Sequence, residues 1–549
     1  MSSRFMKGAM ILSLSMFFAR LLGLLYVVPF EALVGPAGMA LYTYAYAPYG
    51  LFLTLSTLGI PIGIAKFIAK YNADEEYDTS RRMFRLGMLF MVILGLICFV
   101  IMWFGAPWLA SRALSTAEGT YNSHEDVIWV IRTVSFAVIV VPPMSILRGF
   151  FQGNQDMMPT AISQLIEQVV RVVLIVVGAL VVVVLIPNGT TRLAVSVAVF
   201  AAFVSGVVSM YVLYRQWLKR KAGFDALLKK TVPHPRQPVT SLFKELLSYA
   251  LPFAILSLVA NWFLMIDMMT FNDGMLRAGV EGSQAEMIFG MYGTSLSKIV
   301  MIPVSFAIAF GQPLVTEVTE KIRKNDTKGV QKTLSTAILL TSFVTVPAVV
   351  GMALLSNPIY VMLFNRNEEI NAMGGALFGV GAFIGFFLAF NSIIAAIIQG
   401  IGRHYKALIY LVIASAIKLV GNIVLIPALE ANGAILATII AYGFCIIMNY
   451  LEIRKTTGIQ TRLIIKRHIS ILLFAGAMAI AVWLMMFVLD LFLDYTTSRG
   501  QASIYVLIAG IVGVIVYGGL VVYFDVAKSL FGDKLSYKSI RARIRGSKS

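Results

Sequence analysis

Residues 83–110 read MFRLGMLFMVILGLICFVIMWFGAPWLA, a stretch with one charged residue, Arg85. The hydrocarbon core of a bilayer is about 30 Å thick and an α-helix rises about 1.5 Å per residue, so about 20 apolar residues suffice to cross it. This run is longer than that. It also does not alternate, which excludes the short alternating strands of an outer-membrane barrel. Similar runs recur along the whole chain, at roughly 7–34, 41–70, 83–110, 125–150, 158–186, 192–217, 243–271, 285–316, 331–356, 371–400, 405–427, 433–453, 468–490 and 502–526. Composition agrees: of 549 residues 59% are hydrophobic and 13% charged, with a mean hydropathy of +0.84. Soluble domains carry about a quarter charged residues. The expected fold class is an all-α integral membrane protein of about fourteen transmembrane helices, numbered below as spans 1–14.

Arg4 and Lys7 ahead of an apolar run have the form of a signal-peptide start, but the run continues past Arg20 without a small-residue cleavage site, so it reads as a retained first span. Cys98 and Cys445 both fall inside apolar runs, where cysteine acts as a small hydrophobe. His124, His234, His404 and His468 lie near span ends or in loops, and no HExxH, CxxC, GxSxG or P-loop pattern occurs. The reading therefore assigns no catalytic residue, no metal and no cofactor, and leaves the membrane potential or an ion gradient as the drive.

The net charge of +18 has a sided distribution. With the N-terminus placed in the cytoplasm, 34 of the 45 Lys and Arg fall in cytoplasmic segments or at their span ends, among them Arg81, Arg82, Lys219, Arg220, Lys221, Lys229, Lys230, Arg323, Lys324, Arg467, Arg541, Arg543 and Arg545. Five fall outside: Arg112, Arg192, Arg277, Arg366 and Arg499. The positive-inside rule then puts both termini in the cytoplasm, which an even number of spans requires. Topology and attraction to anionic lipid account for the basic loops, so nucleic acid is not an expected partner.

Two parts of the chain echo each other. Span 2 carries Leu58-Gly59-Ile60-Pro61-Ile62 and span 8 Val300-Met301-Ile302-Pro303-Val304; each leads to a charged loop with Asp78-Thr79 or Asp326-Thr327. Span 4 ends at Gln152-Gly153 and span 10 at Gln399-Gly400, and Arg171 and Lys418 follow at the same offset of 247 residues. Span 5 ends at Pro187 and span 11 at Pro427, with Asn-Gly just beyond each. Six spans per copy keep both copies in one orientation, a parallel repeat of the kind transporters use. The expected organisation is an N-lobe at 1–217 (spans 1–6), a basic cytoplasmic loop at 218–242, a C-lobe at 243–454 (spans 7–12), spans 13–14 within 455–531, and a basic cytoplasmic tail at 532–549.

Charges inside the spans are expensive and mark function by default. Six cations are read there (Arg20, Lys66, Arg132, Arg171, Lys298 and Lys418) with two acids, Glu167 and Asp267. Lys66 and Arg132 are near enough to span ends to snorkel. Glu167 and Arg171, four apart, share a helix face and can pair. Asp267 can counter Lys298 or Arg20. The cation excess favours an anionic ligand, a phosphate or pyrophosphate, over a cationic drug. Gly23 and Pro29 in span 1, Pro48 and Pro61 in span 2 and Pro303 in span 8 weaken the helix ladder and are the candidate hinges.

Ala19-Arg20-Leu21-Leu22-Gly23, Gly59-Ile60-Pro61, Arg148-Gly149-Phe150-Phe151-Gln152-Gly153-Asn154 with Pro159 and Ser163-Gln164-Leu165-Ile166-Glu167-Gln168, and Gln399-Gly400-Ile401-Gly402-Arg403 resemble the polysaccharide-biosynthesis branch of the multidrug/oligosaccharidyl-lipid/polysaccharide (MOP) exporters, over nearly the whole chain. Within it the chain is similar to the Gram-positive MurJ-type lipid II flippases and to the stage V sporulation protein B group. That resemblance implies a MATE-like fold of two six-helix lobes around a cavity, with spans 13 and 14 forming a groove for a lipid tail. It implies movement of lipid II, an undecaprenyl-pyrophosphate bearing a disaccharide-pentapeptide, between leaflets of the bacterial plasma membrane by alternating access. Arg20 matches the family's span 1 arginine. Tyr26-Val27 stand where Gram-negative members have Arg-Asp, and Ser295 and Lys298 align with a family arginine and glutamate, so the cavity charges are redistributed. The expected substrate contacts are Arg20, Lys66, Lys298, Asp267, Arg171, Lys418 and Glu167. Partners implied are the lipid-linked substrate, membrane lipids and the cell-wall synthesis machinery.

Other readings are a flippase for another undecaprenyl-linked polysaccharide precursor, a MATE-type drug or cation exporter, a membrane glycosyl or acyl transferase, and a scaffold. The transferase would need a surface acid cluster; Asp74, Glu75, Glu76 and Asp78 read instead as a solvated loop.

Overall fold

The computed structural model describes residues 15, 18–19, 22–23, 25–57, 59–114, 119–186, 190–233, 235, 237–257, 259–459 and 461–524. Described residues of 15–34 belong to span 1, which ends at Gly35. This glycine sits at φ 70°, and the next residue, Pro36, starts the following helical stretch with its φ pre-set. The helical run containing this break is α1 (Val27–Thr57). A second break falls at Gly59 (φ 65°), after which Pro61 lies in the first turn of α2 (Ile60–Ala73). Spans 3 to 6 are α3 (Tyr77–Ala113), α4 (His124–Gly153), α5 (Met158–Leu180, then a π-helical turn to Leu185) and α6 (Thr191–Leu228). Span 7 is α7 (Val239–Ser257) plus α8 (Val259–Arg277). Span 8 is α9 (Gly282–Gly290), a π-helical segment Met291–Leu296, and α10 (Ser297–Arg323). Then come α11 (Thr327–Leu354), the short α12 (Ser356–Leu363), α13 (Glu368–Gly400), α14 (His404–Leu429), α15 (Ala431–Thr457), α16 (Thr461–Leu489) and α17 (Arg499–Tyr523).

Among the described residues twelve helices are long and apolar enough to cross a membrane. One of these runs from Val27 to Ala73 and holds the end of span 1 as well as span 2, divided at Gly35; α7 and α8, which cover the expected span 7, are not among the twelve. The order of spans is the one expected. The boundary that differs most is in 218–242, read as a loop. Here α6 continues to Leu228, because Trp217 and Phe224 pack on the apolar cluster formed by Phe150, Phe151, Met83 and Leu213. Outward-facing positions are apolar, as lipid requires: Phe104 and Val514 are each 74% exposed.

Packing follows the sequence repeat. In the first copy, span 4 packs on spans 2, 3 and 6, and span 5 on span 6; in the second, span 10 packs on spans 8, 9 and 12, and span 11 on span 12. The compact units divide elsewhere, at Met1–Ser295 and Leu296–Ser549, inside the π-helical segment of span 8. Span 7 and the first half of span 8 thus pack with spans 1–6. In the second unit α16 packs on α11 and α17 packs on α12 and α16, around a core that includes Tyr505, Ala509, Leu339 and Ile471.

Candidate functional site

In the first unit, α4, α5 and α6 meet around a largely buried ion triad, its side chains 12–20% exposed. Glu167 accepts from Arg171 at 2.5 Å, one helical turn along α5, and from Arg148 of α4 at 2.7 Å. Arg148 also donates to Ser163 (3.0 Å) and Ser209 (2.9 Å), and Arg171 to Ser205 (3.3 Å). Ser205 and Ser209, one turn apart on α6, therefore accept from one guanidinium of α5 and one of α4. Removing water from ions is costly, and the attraction repays it only when the remaining donors are also satisfied, as the serines do here. Two guanidiniums against one carboxylate leave the cluster cationic. Tyr26 and Tyr42 share a hydrogen bond of 2.8 Å, and Tyr46 stacks on Tyr42; Tyr42, Tyr46 and Tyr49 lie within electrostatic reach of Arg171.

The same unit contains a seam between first-copy helices (α1, α2 and the α3–α4 loop) and second-copy helices (α7, α8, α9). Gly290 makes it close: a Cβ there would lie 2.1 Å from the Pro36 carbonyl oxygen and 2.6 Å from the Ala40 nitrogen. Alongside, Thr43 and Thr294 share a hydrogen bond, and Asn261 donates to Thr54 at 2.8 Å. Glu31, fully buried, accepts from Ser295, and Asp267 accepts from Tyr292 at 2.9 Å.

The two ends of the seam are tied differently. At the end away from the basic loops, the buried carboxylate of Glu286 accepts from the backbone N–H of Tyr121 (2.7 Å) and Asn122 (3.1 Å). Asn122 in turn donates to the Ala37 carbonyl (3.1 Å), just past the Gly35 break. Beside it Asn272 of α8 donates to Tyr44 and to the Ala113 carbonyl, both at 2.6 Å. At the basic end, Glu245 of α7 pairs with Lys70 (2.8 Å) and accepts from Tyr71 (2.5 Å). The Lys70 and Glu245 side chains are 48% and 30% exposed. Gln237 adds its carbonyl as acceptor for Arg82 (2.9 Å).

The residues singled out from sequence divide between the two units: Lys66, Glu167, Arg171 and Asp267 belong to the first, Lys298 and Lys418 to the second. Arg20 lies outside the described residues. Lys66 is exposed at the basic end, its ammonium 5.4 Å from the Phe67 ring centre. Lys298 is half-buried in the first turn of α10. Glu167 and Arg171 are together in the triad, and Asp267 is in the seam. Lys418 is fully buried between α14 and α15, donating to the Ala434 carbonyl (3.0 Å) and to Thr438 (2.6 Å). It shares with Arg171 a place on the fifth helix of its copy facing the sixth, but its ammonium serves a helix–helix contact. Of the hinge candidates, Pro61 follows the Gly59 break and Pro29 follows a turn at Tyr26. A Cβ on Gly23 would lie 3.0 Å from Gln168, so span 1 passes close to α5 there. Pro303 sits in α10 beyond the π-helical segment.

Sequence reading missed three charges inside the spans. Arg148 passed as the end of span 4, although Ser163 and Glu167, four apart on α5, present it with partners on one face. Glu31 and Glu286 lie within spans 1 and 8 as bounded above and are both fully buried, so they join Glu167 and Asp267 as acids held inside the first unit. The plain excess of cations over acids is correspondingly smaller than read.

The arrangement is that of a multi-pass helical membrane protein. It is similar in fold to a solved structure of the "Lipid II flippase MurJ, inward closed conformation" (TM-score 0.64, 15% identity, 94% of this chain and 99% of that one). It is also similar to the inward-facing conformation of a multidrug resistance MATE family transporter (TM-score 0.62, 16% identity, 79% and 95%). A family profile described as "Polysaccharide biosynthesis protein" matches residues 5–319, and one described as "Lipid II flippase MurJ" matches residues 291–507. The chain is 36% identical to "Lipid II flippase MurJ" of Bacillus subtilis (strain 168), over 94% of this chain and 95% of that one. It is 24% identical to "Stage V sporulation protein B" of the same organism, over 84% and 85%. The chain belongs to the MurJ lipid II flippase family, a family of transporters rather than enzymes.

Proposed function

We propose that this chain is a lipid II flippase of the bacterial plasma membrane, carrying the undecaprenyl-pyrophosphate-linked disaccharide-pentapeptide from the inner to the outer leaflet. The observation that supports the reading most is the identity to the Bacillus subtilis flippase along nearly the full length of both chains. The basic end of the seam is assigned to the cytoplasm, and with it both termini, on the positive-inside rule. Entry of the head group from the inner leaflet then requires the Glu245–Lys70 end of the seam to part while the Glu286 end stays closed; release requires the reverse. Arg20, Lys66 and Lys298 are the proposed pyrophosphate clamp, with guanidinium and ammonium groups making charge-assisted hydrogen bonds. The Arg148–Glu167–Arg171 triad is assigned to holding α4, α5 and α6 as one body during the motion. An inside-negative potential favours outward movement of an anion by about 2.3 kcal/mol per charge per 100 mV, which suits a carrier driven by potential or an ion gradient.

The test is complementation in a host depleted of its own lipid II flippase. Growth restored by this chain, and lost with Arg20→Ala or Lys298→Ala at equal membrane expression, is the expected result. Failure of the intact chain to restore growth while it rescues export of a different undecaprenyl-linked glycan would move the assignment to that substrate.

A further inference from the structure

The helical extension of α6 builds a cavity that plays no part in the seam. From Thr191 to Trp217 the helix climbs about 39 Å at 1.5 Å per residue, more than the hydrocarbon core, so Trp217 stands at head-group depth. There the extension faces the start of α3 across an open cavity of about 210 Å³, with Arg85 exposed at its mouth. Arg81 and Arg85 are the charged groups of its wall, and no carboxylate lines it. Ser80, Asn72 and Asn154 supply polar wall, the two asparagines hydrogen-bonded at 2.9 Å, and Tyr77 and Trp217 flank the space. Arg81 is held from outside the cavity by Asp225 at 2.7 Å. Arg85 makes no hydrogen bond or ion pair among the described residues, although its guanidinium offers five donors.

We propose that this cavity is a binding site for the phosphodiester head group of an anionic inner-leaflet phospholipid, held by Arg85 and Arg81. Guanidinium matches phosphate in two-point geometry and is the group of choice for it. Tyr77 and Trp217 are the residue types that settle at the membrane–water boundary. On the membrane side of the cavity Phe84, two turns into α3, gives the glycerol and first methylenes an apolar wall. A lipid is favoured over a soluble phosphate by the depth of the site and by that apolar wall. The inference rests on the orientation proposed above, which places the site at the cytoplasmic leaflet, whose anionic surface attracts basic groups.

The experiment is native mass spectrometry of the purified chain with phosphatidylglycerol or phosphatidylcholine added, alongside Arg85→Gln and the control pair Lys229→Gln/Lys230→Gln, which is basic but outside the cavity. The expected result is preferential retention of phosphatidylglycerol, weakened about tenfold by Arg85→Gln and unchanged in the control, the size following from loss of one charged hydrogen-bonding group. Arg85→Lys, which keeps the charge but not the fork, falls between. Because Arg85 is exposed and has no partner to lose among the described residues, its variants are expected to fold, checked by an unchanged elution volume. Equal retention of the two lipids, or phosphatidylglycerol retention untouched by Arg85→Gln, overturns the site. Displacement of the lipid from Arg85 by millimolar inorganic phosphate overturns its assignment to a lipid. Failure of complementation with Arg85-dependent retention intact would count against the transport reading alone.

Discussion

The two ends of the first unit's seam join the same pair of helix groups by opposite means. At the end away from the basic loops Glu286 is buried and its partners are backbone N–H groups of the α3–α4 loop and the Asn122 side chain. At the basic end Glu245 is 30% exposed and its charged partner, Lys70, is a half-exposed ammonium. A buried acceptor cannot be released without stranding its donors, each at about 1–3 kcal/mol. An exposed ion pair is replaced by water and salt at about 0–1 kcal/mol. The basic end should therefore part more readily, which suits the proposed loading from the cytoplasm.

Several substitutions would break or sharpen that contrast. Glu286→Ala should have the largest effect, destabilising by about 2–4 kcal/mol through two stranded N–H groups. Thermal unfolding in detergent reads this, and a Cys placed at Ala37 should become labelled by an impermeant maleimide from outside. Gly290→Ala, which drives a methyl into backbone rather than a movable side chain, should follow at about 1–3 kcal/mol and open the same label. Glu286→Gln keeps one acceptor and is expected near 1 kcal/mol by the same unfolding assay. Glu245→Gln should be smallest, below about 1 kcal/mol, and the difference from the unsubstituted chain should shrink further in 1 M salt. If Glu245→Gln proved as damaging as Glu286→Ala, the asymmetry would be wrong.

Much of the fold was legible because lipid imposes a simple rule: long apolar runs, broken where Gly and Pro fall. Gly35-Pro36 and Gly59 with Pro61 break the chain close to where the sequence placed a span boundary and a hinge. The Glu167–Arg171 pair was legible from its spacing of four. Its third member was not, because Arg148 lies near a span end in sequence and its depth is set by how α4 packs on α5 and α6. Glu286 was hidden for a different reason. Its partners are main-chain groups more than 160 residues earlier, and a loop's N–H groups leave no mark on composition. Lys418 shows the converse: a symmetric position suggested a shared cavity, whereas Ala434 and Thr438 on the next helix hold its ammonium. The extension of α6 escaped notice since a basic amphipathic stretch and a basic loop look alike until Trp217 and Phe224 find the core.

The claim at the centre is that this chain moves lipid II outward. The most direct measurement is the amount of lipid II accessible to an outer-leaflet reagent in cells depleted of their own flippase and carrying this chain. Accessibility restored to the undepleted level, and lost again with Glu286→Ala or Arg20→Ala at equal membrane abundance, is the predicted result. Lipid II remaining confined to the inner leaflet, with the chain correctly inserted and abundant, would contradict it.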